Sequence, residues 1–147
     1  VNRDAVGVQG EPFEVDVERG RIRELAKALF ADDEAYWRSE PVVPPTFLTT
    51  MFMWETPASD PWPKLELDRQ RALHASQEFE FLGPPPRAGT RLTACSQIEE
   101  IYEKEGRRGG NLTFAVMRTD FTDADGRVVA RARGTVVETS RPPEAGA

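Results

Sequence analysis

In "SQEFEFLG", residues 76–83, the chain adopts a two-residue period. Phe79 and Phe81 fall on one side of an extended backbone, and Glu78 and Glu80 fall on the other. That alternation is the mark of a half-buried strand. The pattern begins at Ala75 and stops at the break "GPPPRAGT" (83–90). Beyond it, "RLTACSQIEEIYEKE" (91–105) repeats the period: Leu92, Ala94, Ser96 and Ile98 alternate with Thr93, Cys95 and Gln97. "GRRGGN" (106–111) reads as a turn, because glycine takes the positive φ that tight connections need. "LTFAVMRTDFTD" (112–123) is a third strand, "DADGR" (123–127) a hairpin turn, and "VVARARGTVVETS" (128–140) the last strand. Four strands in a meander are expected here, with 139–147 as a flexible tail.

Upstream, "FEVDVERGRIRELAKALF" (13–30) predicts a short strand, Phe13 to Val15, leading into a helix. Ile22, Leu25, Ala26 and Leu29 form one apolar stripe at helical spacing. Asp32, Asp33 and Glu34 follow where the helix should stop, and acidic residues are unfavourable at a helix C-terminus. They are better read as the start of the next turn. Prolines at 41, 44, 45, 57, 61 and 63 forbid a long element through the middle of the chain. Between Pro45 and Pro57 one short helix fits, with Thr46 as a possible cap. "TFLTTMFMW" (46–54) is apolar nearly all round, so that helix is expected to be buried as the cover of the sheet. The sum is one α+β domain over 1–147, its core about 13–138, with an antiparallel sheet wrapped around a helix. Its long strands leave an edge to be paired, which favours a dimer.

Composition removes several function classes. The chain has 147 residues with 19 Lys and Arg against 25 Asp and Glu, a net charge of −6. It lacks the basic footprint that nucleic acid requires. No apolar run reaches the roughly 18–20 residues of a bilayer span, and the first twenty residues do not read as a signal peptide. One cysteine, Cys95, fits a reducing cytoplasm. One His and one Cys cannot build a structural zinc site, and no metal or cofactor is expected.

Three segments carry a resemblance: "VPPTFL" (43–48), "LHASQEFEF" (73–81) and "RAGTRLTA" (87–94), in this order and at these separations. From about Phe13 to Val137 the chain resembles the N-terminal MaoC-like, or fatty-acid-synthase-like, dehydratase domains. The resemblance implies the hotdog fold and chemistry on acyl thioesters carried by coenzyme A or acyl carrier protein. The reaction would be reversible dehydration of a (3R)-hydroxyacyl group, or hydration of a 2-enoyl group. Such chemistry needs a base for water, an acid for C2, and donors to the thioester oxygen. Active members of the wider family supply acid and base from a Gly-Asp pair followed by Asn-Pro, with a His five residues after the Asp. Laid on this chain, that motif falls on "ADDEAYW" (31–37). Asp32 matches the Asp, Ala31 replaces the Gly, Glu34 and Ala35 replace Asn-Pro, and Trp37 takes the place of the His. Indole cannot relay a proton as imidazole does.

No catalytic residue is therefore expected in this chain. Asp32 could survive as an acid or base, or be a solvated residue closing a helix. His74, the sole histidine, could act only with an orienting carboxylate such as Glu78 or Asp32; otherwise its role is structural. Tyr36 and Trp37 could line an acyl channel, or pack in the core or at a dimer seam, and aromatics such as Phe47 suggest a sizeable apolar pocket. Arg107 and Arg108 could meet coenzyme A phosphates or an acidic carrier, or serve solubility. The leading expectation is a substrate-binding subunit whose partner hotdog chain supplies the Asp and His. A self-sufficient homodimeric hydratase using His74 or Asp32, and a non-enzymatic acyl-thioester binder or assembly module, are the alternatives.

Overall fold

The computed structural model describes residues 1–106 and 110–140. Strand β1 (Phe13–Asp16) leads into helix α1 (Arg19–Ala28), and 3-10 helices follow at Glu34–Tyr36, Phe47–Met53 and Trp62–Leu65. Strands β2 (Ala72–Phe81), β3 (Arg91–Glu105), β4 (Asn111–Thr122) and β5 (Val128–Thr139) complete one sheet. Its order is β1-β3-β4-β5-β2, and every pairing is antiparallel.

The two-residue period does what it predicts. Leu92, Ala94, Ser96 and Ile98 are buried along β3, and Ala115, Met117, Thr119 and Phe121 along β4. Two of these positions are hydroxyls. Ser96 and Thr119 meet across the strands with their oxygens 2.8 Å apart, so each satisfies the other inside the core. One core cluster packs Ile22 of α1 with Phe47 and Leu48 against Leu92, Phe121, Ala130 and Ala132. A second, at the far end of the same face, holds Ala5 and Leu65 over Ile98, Ala115 and Met117.

Several expectations are corrected. β2 begins at Ala72 rather than Ala75, so His74 lies within the strand. Strands β3, β4 and β5 do form a meander, but β2 pairs with β5 at the opposite edge from β1. The alternation shows which face a residue occupies, not which strand is its neighbour. Residues 82–90 cross over β4 and β5, about 15 Å at ~5 Å per strand, and Pro84, Pro85 and Pro86 keep that crossing extended. Thr139 belongs to β5, and 141–147 lie outside the described residues.

The expected buried helix is a 3-10 helix whose first turn alone is buried. Phe47 and Leu48 are fully covered, whereas Phe52 is 62% and Met53 48% exposed. Thr49 and Thr50 return their hydroxyls to the carbonyls of Thr46 and Phe47, at 2.5 and 2.8 Å, which holds the backbone in the tighter coil. Thr46 makes no capping bond.

The stripe on α1 is also shorter than its pattern. Ile22 and Ala26 are buried, but Leu29 is the C-cap residue and 54% exposed. The helix closes when the Ala31 N–H donates to the Ala26 carbonyl at 2.9 Å and the Phe30 N–H to Lys27 at 3.1 Å. This arrangement places Phe30 in the left-handed region, at φ 53°, where glycine is the usual occupant. A side chain there costs about 1 kcal/mol.

Candidate functional site

The segment "ADDEAYW" is an ordered turn docked on α1. The Asp33 carboxylate accepts from the Ala35 N–H at 2.8 Å and starts the 3-10 helix Glu34–Tyr36, so the acidic run opens a turn. Arg23 on α1 donates through Nη2 to the carbonyls of Trp37 (3.2 Å) and Arg38 (3.1 Å). Its Nε is buried without a partner. The Val42 N–H returns to the Ala35 carbonyl at 3.0 Å. Tyr36 is half-buried, Trp37 is 44% exposed, and Asp32 faces solvent.

The candidate residues do not converge into a catalytic pair. His74 lies on β2, opposite Val136 of β5, and its side chain is exposed. Glu78 pairs with Arg133 at 3.1 Å, on the other face of the strand from His74. It cannot orient the imidazole. No hydrogen bond or ion pair joins Asp32 to His74 among the described residues. Phe47 is fully buried in the first core cluster. Arg107 and Arg108 lie outside the described residues. No group of three or more His, Cys, Asp or Glu among the described residues could hold a metal ion.

The outer face of the sheet is committed to ion pairs. Arg131 binds Asp120 at 2.6 Å, and Arg133 binds Glu99 at 2.9 Å. Arg118 reaches Glu99 at 3.1 Å. These cross-strand links are partly solvated and worth at most about 1 kcal/mol each, and they tie up the arginines at the middle of that face.

Sequence reasoning missed two features. One is a pair of adjoining grooves of about 540 and 430 Å³. They meet at Arg19 and Ala88, between the start of α1, the strap 40–43 and the crossover 85–90. Arg19 and Arg87 line the larger one, and neither guanidinium has an ion-pair or hydrogen-bond partner among the described residues. The arginine within "PPPRAGT" was the signal available in the sequence.

The other is Glu55, after the 3-10 helix Phe47–Met53. Half-burial pushes its carboxyl above the usual Glu range, and the charge of Asp60 adds to the shift. The raised value means the fold prefers the protonated acid. Its stabilising contribution is present below the ordinary Glu range and is lost as pH rises through the raised value. Glu55→Gln is therefore expected to raise the melting temperature at pH 7, with the gain disappearing when the same melts are run near pH 4.

The sheet, the helix and the turn at 31–37 define an α+β domain whose antiparallel sheet packs against short helices. A family model described as FAS1-like, dehydratase domain region, matches residues 4–132, and the chain belongs to that family. A UPF0336 protein of Parafrankia sp. is 32% identical over 157 residues, covering 97% of each chain. A second, of Cutibacterium acnes, is 30% identical over 131 residues, 88% of this chain and 85% of its own.

Among solved structures, the HadBC (3R-hydroxyacyl-ACP dehydratase) complex of Mycobacterium tuberculosis superposes with a TM-score of 0.69 at 24% identity. That match covers 93% of this chain and 99% of the other. The ChsH1-ChsH2 complex of the same organism gives 0.68 at 14%, covering 97% and 93%. The fold is the hotdog fold of MaoC-like dehydratases.

Proposed function

We propose that this chain is the substrate-binding, catalytically incomplete subunit of a heteromeric (3R)-hydroxyacyl-thioester dehydratase or 2-enoyl-CoA hydratase. The observation that carries the reading is the turn at 31–37. Trp37 stands at the histidine position of the family motif, and Asp32 faces solvent without a hydrogen-bond or ion-pair partner among the described residues. A proton relay between water and C2 needs two groups within hydrogen-bond reach of the substrate. The partner hotdog subunit supplies them, and this chain shapes the acyl pocket. Tyr36 and Trp37 contribute to its wall. Coenzyme A or acyl carrier protein carries the substrate, with Arg107 and Arg108 as candidate contacts for its charge. The setting is the cytoplasm, which suits a lone thiol.

The open edge of the sheet supports a partner. β2 is an edge strand, and residues 73–78 are exposed on both of its faces. Leu73 is 52% exposed there. The core cluster that receives Phe79 and Phe81 from β2 also receives Met51 and Trp54, so the 3-10 helix exposing Phe52 and Met53 shares its core with this edge. A long edge with apolar neighbours is a template for strand pairing unless another chain covers it. Co-expression with a hotdog chain carrying the Asp/His motif is expected to give a stable complex in sedimentation velocity. Phe52→Asp is expected to weaken that complex by roughly 30-fold or more, as for a central apolar contact. A lone chain that remains monomeric beside every such partner overturns the reading.

A further inference from the structure

The register of β2 hides a change of face. Glu78 and Glu80 lie opposite Arg133 and Arg131, on the outer side of the sheet. His74 has the same parity, and in an uninterrupted strand its side chain would join them. A bulge between His74 and Ser76 shifts the pairing, so His74 stands opposite Val136 instead. Val136 opposes Ala115, which opposes Ile101, and all three belong to the second core cluster. Directly paired residues share a face. His74 therefore lies on the inner face, in line with Gln77, Phe79 and Phe81.

Gln77 opposes Gly134. A Cβ at Gly134 would stand 3.3 Å from the Gln77 Oε1, so the missing side chain is what gives the amide its room. Two polar groups thus interrupt an apolar face between the two clusters. Both are exposed, and neither side chain has a hydrogen-bond partner among the described residues. The contrast with the outer face of the same strand is sharp, since Glu78 and Glu80 are both ion-paired there. Bulges re-aim side chains beside sites, and a few placed polar groups in an apolar lining fix a ligand's orientation.

Resting on the acyl-thioester reading above, we infer that His74 and Gln77 together hold the thioester carbonyl oxygen of an acyl ligand. Gln77 donates from its amide Nε2 and His74 from an imidazole N–H, and the acyl chain lies along Phe79 and Phe81. Both are positioning residues, and neither transfers a proton in this role.

His74 is the only histidine in the chain, so its ring signals in a proton–carbon spectrum need no assignment. Titrating the full chain with crotonyl-CoA is expected to move those signals saturably, while coenzyme A alone leaves them in place. Gln77→Ala is expected to weaken the response about 5- to 10-fold, the loss of one hydrogen bond. Gly134→Ala keeps the glutamine but displaces its amide, and is expected to do the same. Signals unmoved at millimolar crotonyl-CoA, or moved equally by coenzyme A, overturn the inference. Partner-dependent hydration that persists while His74 stays unmoved removes this inference and leaves the subunit reading standing.

Discussion

Phe47→Ala is expected to lower the unfolding free energy by about 3–5 kcal/mol, the cost of emptying a fully covered aromatic site. Phe47 has no exposed surface, and it joins Leu48 in the cluster with Ile22, Leu92 and Phe121. A domain of this size has roughly 5–15 kcal/mol to lose, so the variant should be close to unfolding at 37 °C. Phe52→Ala, on the same 3-10 helix, is the internal control. Its ring is 62% exposed, and its loss should change stability by less than about 0.5 kcal/mol. Urea titrations would read both as shifts of midpoint at constant slope. The pair separates two roles that composition alone assigns alike: one phenylalanine holds the core, and the other lies open to solvent.

That helix shows where the sequence stops being informative. An all-apolar run says that its surface will be covered, but not by which molecule. In this chain the sheet covers Phe47 and Leu48 and leaves Phe52 and Met53 open. The strands were legible because a two-residue period survives in the sequence itself, and the α+β class followed from them. The place of β2 was not legible, because hydrophobic alternation carries no record of the neighbour across the ladder. The face that His74 occupies was not legible for a related reason. One inserted residue reverses parity, and nothing in "LHASQEF" marks Ala75 as the bulge. The groove between Arg19 and Arg87 joins residues far apart in the chain, and only the crossover beside α1 brings them together. At the turn 31–37 the sequence was most direct. The resemblance puts Trp37 at the place of the family's histidine, and the structure adds that Asp32 is exposed with no hydrogen-bond or ion-pair partner among the described residues.

Under the proposed function, one reaction is divided between two chains. General acid and base groups each contribute roughly 10²–10⁴-fold to such reactions, so a subunit lacking the pair should be nearly silent. The most direct measurement is hydration of crotonyl-CoA, followed by loss of the enoyl-thioester absorbance. It compares the purified chain, a hotdog partner with an intact Asp/His motif, and the two combined. The chain alone is expected to show no turnover above buffer. The combination should exceed the partner alone by about 10²-fold or more, as expected when one chain completes the other's substrate site. Robust hydration by this chain on its own, abolished by His74→Ala or Asp32→Asn, would contradict the central claim.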